Sequence, residues 1–279
     1  MNRKTMLHKS LDILVAVVAI FLGLVMISPV LYCVLSAFKS RAEFAAYPPV
    51  LFPEDFSNLT NFAQVFEKTP IMRFMFNSLI VSTIGTFARI LFAAFAAFAF
   101  AYYNFKGKKL LFFVVLATMM LPGDTLIITN YLTVSKMGLL DNYLGMCITS
   151  LVGATQMFML RQHFKTIPKE MYEAAQLDGC GNITYILRIV GPISQPILVT
   201  LCVQSFIGLW NTYLWPLLIT NKAEMRTVQV GVTMLTTPHD TNYSLVMAAV
   251  VIVLIPSFIL FIILRRNIVE GMSTGALVG

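Results

Sequence analysis

Residue types that do chemistry are sparse in this chain and seldom stand together. The four cysteines, Cys33, Cys147, Cys180 and Cys202, have none of the paired spacing that closes a zinc site, and three fall in or at apolar runs, where a thiol is a small packing group. His8, His163 and His239 lie in different segments with no second ligand at helical spacing, so no metal site is expected. Nowhere do nucleophiles, bases or ligands cluster near one face, so no catalytic residue is expected either. Gly107-Lys108 lacks the earlier glycine of a phosphate-cradling loop, which leaves the chain without nucleotide binding of that kind.

What remains is a charged loop, discussed below, and a few polar groups inside apolar runs. Arg89 stands midway along one such run, where a lone cation is costly and usually faces protein or a water-filled cavity. Trp210, Asn211 and Tyr213, followed by Trp215 and Pro216, bring rings and an amide together. Rings stack on the apolar faces of sugars, and an amide both donates to and accepts from hydroxyls. The same residues also suit a membrane–water boundary, where Trp and Tyr concentrate. Asp124, after Pro122-Gly123, reads as a turn or cap residue.

These residues must be held by helices in a bilayer. The 279 residues are 58% hydrophobic and 12% charged, more apolar surface than a water-soluble fold can hide. Apolar runs long enough to span occur near 13–37, 76–103, 110–129, 144–164, 193–219 and 244–264. Alternating barrel-type strands are absent, so the expected fold is an all-α integral membrane protein of six transmembrane helices, a single domain over 1–279. The first run is too long for a signal peptide and lacks a small-residue cleavage site, which makes it an anchor. With the amino terminus inside, Lys106, Lys108, Lys109, Arg161, Lys165, Lys169, Arg188, Arg265 and Arg266 join Arg3, Lys4 and Lys9 on the inner side. Acids offset the basic residues of the outer segments, so the positive-inside rule puts both termini in the cytoplasm. The net charge of +7 then reflects orientation in membrane lipid, and no nucleic-acid partner is expected. Outside, the segment 38–73 carries Pro48, Pro49 and Pro53 and is too polar to span; a short helix is expected near 61–67, and the Asn58–Thr60 sequon reads as a turn.

The one large inner insertion, 165–190, reads Thr166-Ile-Pro-Lys-Glu-Met-Tyr-Glu-Ala-Ala-Gln-Leu-Asp-Gly179 and then a second segment from Asn182. Pro168 suits a first helical turn, Glu170 and Glu173 complement the positive end of a helix dipole, and Gly179 can end the helix in a left-handed conformation. Met171, Leu177, Tyr185 and Ile186 offer apolar contact area beside the small Ala174 and Ala175. Two readings fit: a knob that docks into another protein, or an amphipathic helix lying on the membrane surface.

Glu173-Ala174-Ala175, Asp178-Gly179, Ile189 and Pro192 resemble, in type and spacing, the EAA signature of permease subunits in binding-protein-dependent ABC importers. Gly191 departs from it, standing where the family usually carries leucine. Phe76-Asn77-Ser78, the stretch 161–168, Trp210 to Pro216 and the end of the chain, 271–279, resemble the maltose and glycerol-phosphate branch, although Val278 replaces a lysine often seen there. The resemblance covers nearly the whole chain. It implies a type I importer permease fold in which the loop at about 165–192 is a coupling helix seated in a cytoplasmic ATPase, anchored by Glu173 and broken at Gly179. It also implies a homologous second permease, two ATPase subunits holding ATP and Mg, and an extracytoplasmic solute-binding protein, with no cofactor in this chain. ATP binding would swing the permease halves from inward-open to outward-open, with Trp210, Asn211, Tyr213 and Arg89 as candidate path residues for a neutral sugar. The competing readings are a permease for a non-sugar solute, an ion-driven secondary transporter and a membrane enzyme. The spans offer almost no acids and no evident inverted repeat for the second, and no reactive cluster for the third.

Overall fold

A computed structural model describes residues 3–236 and 241–276, with the side chains of 3–11, Asp124 and 266–276 outside the description. Expectations resting on Arg3, Lys4, His8, Lys9, the Asp124 side chain, His239, Arg266 and the terminal stretch with Val278 therefore fall outside the described residues. The helices in chain order are α1 (Arg3–Ala37), α2 (Arg41–Ala45), α3 (Thr60–Lys68), α4 (Ile71–Tyr102), α5 (Lys108–Thr118), α6 (Ile127–Lys136), α7 (Tyr143–Ile148) and α8 (Ala154–Phe164). They continue with α9 (Lys169–Leu177), α10 (Asn182–Tyr185), α11 (Gly191–Ile193), α12 (Gln195–Trp210), α13 (Leu214–Ile219), α14 (Val228–Thr233) and α15 (Tyr243–Ala276). No strand occurs among the described residues.

Three of the expected spans are continuous: Asp12–Ala37 within α1, α4, and Tyr243–Arg265 within α15 are each long and apolar enough to cross a membrane. The other three apolar runs are broken. Around Pro122-Gly123 the third run leaves α5, passes through a 3-10 turn at Gly123–Leu126 and resumes as α6. The fourth is interrupted between α7 and α8, where Gly153 is extended. The fifth breaks twice, at Ser194 with an 88° bend and again at Asn211–Tyr213. Irregular backbone at membrane depth is tolerated only where it is buried in protein or lines a water-filled cavity, so these breaks direct attention to what surrounds them.

The chain divides into two compact units, Met1–Pro70 with Val232–Leu254, and Ile71–Gly231 with Ile255–Gly279. In the first, Lys39 is buried: its Nζ donates to Val50 O at 2.6 Å and lies over the Tyr32 ring at 4.8 Å. The Asn61 amide donates to Ala37 O and Lys39 O, so the expected outer helix, α3, also caps the end of α1. Asn58 Oδ1 accepts from Thr60 N, which is the turn expected of the sequon.

The second unit is built on α4, against which α8 and α12 pack. Lipid gives apolar faces little reason to associate, so such contacts depend on close approach and hydrogen bonding. Ala93 and Ala97, both buried, keep the α4 face small. One cluster, with Phe98, Leu160, Phe164, Ala175, Tyr185 and Val190, joins the C-terminal ends of α4 and α8 to the loop helices. Another, with Val81, Val134, Met146, Cys147, Trp215 and Ile219, gathers α6, α7 and α13, pieces of the broken runs, against α4.

Candidate functional site

The loop that follows α8 folds as a firm knob. Pro168 stands just before α9 and Glu170 lies in its first turn. At the other end Gly179 adopts φ 75°, its N–H donates to Gln176 O at 3.0 Å, and Cys180 N donates to Ala175 O at 2.8 Å. That pair of bonds is a Schellman closure, which a residue with a Cβ strains because of the positive φ. Ala175 is buried, while Glu173, Ala174 and Asp178 are exposed, and the Glu173 carboxylate has no hydrogen-bond partner among the described residues.

Aromatic rings fasten the knob to the end of α4. Tyr172 lies 5.0 Å from both Tyr102 and Tyr185 and edge-on to Phe98 at 5.8 Å. Its hydroxyl donates to Asn182 Oδ1 and accepts from Gln176 Nε2, both at 2.8 Å, which ties α9 to α10. Burial first, then the Tyr103 and Tyr185 phenols, pushes the Tyr172 hydroxyl above its ordinary pKa and keeps it a neutral donor. Tyr185 and Ile186, expected to offer external contact area, are instead buried in this cluster, because the end of α10 and the turn after it pack against Phe98 and its neighbours on α4. The exposed large apolar groups of the knob are Met171, Leu177, Ile183, Leu187 and Ile193.

Beyond α10 the backbone makes a π-helical turn over Ile186–Val190, closed by Gly191 N donating to Ile186 O. A Cβ on Gly191 would stand 3.0 Å from that oxygen, so glycine relieves crowding in the widened turn. The leucine position of the signature is thus occupied by the residue this turn accommodates. Ile189 is half-buried and Pro192 exposed, just ahead of the right-angle bend at Ser194.

The breaks in the apolar runs have a different character. Gly123, Asn130, Thr149, Thr212, Tyr213 and Trp215 line a cleft of about 320 Å3, to which each of the three broken runs contributes residues. Of the candidate path residues, Tyr213 alone lines it. Asn211 caps α12 and its Oδ1 accepts from Gln229 Nε2 at 3.2 Å. Trp210 is 2% exposed and stacks on Phe206 at 5.9 Å. Arg89 Nε donates to Ser150 O at 2.8 Å, supplying a partner to a carbonyl freed where α7 stops, next to the Thr149 of the cleft. Sequence reasoning missed Gly123, Asn130 and Thr149, although Pro122-Gly123 and the polar Thr149-Ser150 ahead of Gly153 were signals of broken helix.

Side chains secure the backbone around the cleft. Asn77 is fully buried; its Nδ2 donates to Glu224 O and Arg226 O, both at 2.8 Å, and its Oδ1 accepts from Tyr143 at 2.7 Å. The neighbouring Ser78 Oγ accepts from Val228 N at 2.8 Å. Trp215 Nε1 donates to Gly145 O, and Asp141 Oδ1 accepts from Asn221 N and Lys222 N. Among the described residues no group of three or more metal-ligating side chains comes together.

Residues 89–274 match the family model described as the binding-protein-dependent transport system inner membrane component. The chain belongs to this family. It is 28% identical, over the full length of both chains, to the permease protein of an arabinooligosaccharide transport system from Halalkalibacterium halodurans. A sn-glycerol-3-phosphate transport system permease protein from Yersinia pestis is 30% identical, with 95% of this chain and 97% of the relative aligned. A chain in the crystal structure of a bacterial ABC transporter involved in alginate import superposes with a TM-score of 0.82 at 21% identity, covering 95% of this chain and 98% of that one. That likeness gives the fold, the type I permease architecture. This family member is accordingly a multi-pass inner-membrane transport subunit.

Proposed function

We propose that the chain is one permease half of an ATP-driven importer for a sugar or sugar-like solute, with both termini in the cytoplasm. The observation that carries the coupling role is the knob at 169–193: clamped to α4 by Tyr172 and closed at Gly179, it leaves Glu173 exposed without a partner among the described residues. A rigid helix offering an unsatisfied carboxylate is suited to an external donor, and a charge-assisted bond of that kind is worth about 1.5–3 kcal/mol. The donor would belong to a cytoplasmic ATPase, two copies of which would hold the ATP and Mg, alongside a second permease and an outer solute-binding protein. In this reading Ala174, Asp178, Ile189 and Pro192 shape the docking surface, while Ala175 and Gly179 keep α9 seated.

Carbohydrate transport is supported by the relatives with printed substrates, two of which act on oligosaccharides or polysaccharides. The cleft beside Tyr213, lined by amide, hydroxyl and ring groups, is the candidate path, and a two-state gate biased from both faces would open it in turn. Asn211, Trp210 and Arg89 would support its wall. Purification of the tagged chain in mild detergent, with mass spectrometry of what accompanies it and an ATPase assay, tests the reading. Recovery of a second permease and an ATPase is expected; the chain alone, active in liposomes under an ion gradient without ATP, would refute it.

A further inference from the structure

We propose that the cations around the α4–α5 turn bind the phosphate headgroup of an anionic phospholipid whose acyl chains lie along α5. The inference needs only that α4 crosses a bilayer and that α5 enters it from the same face, and it stands whether or not α9 couples to an ATPase.

Two of these cations are fixed by the same helix end. Lys108 Nζ donates to Tyr103 O at 2.6 Å and Arg161 Nε to Phe100 O at 3.4 Å, so both sit at the negative end of the α4 dipole. The Arg161 guanidinium also lies 3.9 Å from the Phe112 ring centroid, which keeps it from swinging away. Lys165 follows at the end of α8, Lys169 opens α9, and Lys106 and Lys109 are exposed on either side of Lys108. Burial, then Arg161, Lys169 and Lys165, draws the Lys108 ammonium below its ordinary pKa; no carboxylate contributes to that balance among the described residues. Like charges are thus crowded around Lys108, a condition that a phosphate relieves.

The surface next to them decides the source of the phosphate. No residue of α5 is buried, and Leu110, Leu111, Phe113 and Val114 are 69%, 50%, 67% and 51% exposed. A free phosphate has no use for this apolar strip, and an acidic protein surface would leave it uncovered. A diacyl lipid fits both parts, phosphate against Lys106, Lys108, Lys109 and Lys165 and chains against the strip. Basic pockets beside membrane helices take anionic headgroups in this way, each cation near the surface contributing about 1 kcal/mol.

The test is native mass spectrometry of the full chain with its co-purifying subunits, delipidated and titrated with phosphatidylglycerol or phosphatidylcholine. Phosphatidylglycerol is expected to be retained about tenfold more than phosphatidylcholine, a preference that weakens as salt rises. In K106Q/K108Q/K109Q/K165Q the preference should disappear, whereas the matching arginine variant, which keeps the charge, and the control K68Q/K136Q/K222Q should retain it. Equal retention of the two lipids by the wild type, or an unaltered preference in the glutamine variant, overturns the proposal. Displacement of the lipid by equimolar inorganic phosphate would make this a soluble-anion site and also overturns it. So does loss of a co-purified subunit with lipid retention unchanged, which would assign the cations to a protein partner.

Discussion

The knob at the C-terminal end of α4 and the cleft among the breaks in the apolar runs satisfy their polar groups in opposite ways. In the knob the backbone is closed locally by the Gly179 turn, the Tyr172 hydroxyl joins neighbouring side chains, and the carboxylate of Glu173 is left exposed. Around the cleft the backbone is interrupted, and distant side chains repair it: Arg89 serves Ser150 O, Trp215 serves Gly145 O and Asn77 serves two carbonyls more than 140 residues away. Water explains the difference. A group facing the aqueous phase can wait for a partner protein, whereas an unpaired carbonyl within a membrane domain costs several kcal/mol. A substitution in the knob is therefore expected to act on communication, and one around the cleft on stability or on passage.

The contrast is sharpest for Glu173→Ala and Gly179→Asp. Both are expected to insert normally, yet uptake in proteoliposomes should fall by roughly ten- to a hundredfold, as loss of one charge-assisted contact would give, while ATP hydrolysis persists unlinked. Normal uptake in both would remove the coupling role. Asn77→Ala comes next: it strands Glu224 O, Arg226 O and the Tyr143 hydroxyl, and should cost about 3 kcal/mol, read as an earlier thermal transition of the detergent-solubilised protein. Arg89→Met abandons only Ser150 O, so a loss of about 1–2 kcal/mol is expected, with weaker assembly of the complex. Uptake lost at full stability and full assembly would move Arg89 from the wall to the path itself. The smallest effect is expected of Tyr213→Ala, a severalfold change in apparent solute affinity of about 1 kcal/mol with the melting temperature unmoved. Unchanged uptake and preference would return Tyr213 to an ordinary interfacial role.

The sites differ in legibility for the same reason. Nearly all of the knob could be read along the chain, because a proline start, an acidic first turn and a glycine stop are local signals between neighbours in sequence. Its inward face could not: whether Tyr185 and Ile186 point to solvent or to Phe98 depends on where α4 ends. The cleft was harder. Hydropathy averages over a window, so an apolar run with a break looks like a continuous span, and Pro122-Gly123, Gly153 and Asn211 were absorbed into predicted helices.

By itself the sequence determined the solvent, the helical class and the family, since composition and short-range spacing carry these. Only the tertiary structure decided that three of the apolar runs are broken, that Trp210 is buried against Phe206 while Tyr213 lines the cleft among the breaks, and that Arg89 and Asn77 serve as internal partners. In each case a carbonyl or ring meets a partner far away in the chain. Such pairings depend on how helices pack in three dimensions, which no local pattern encodes.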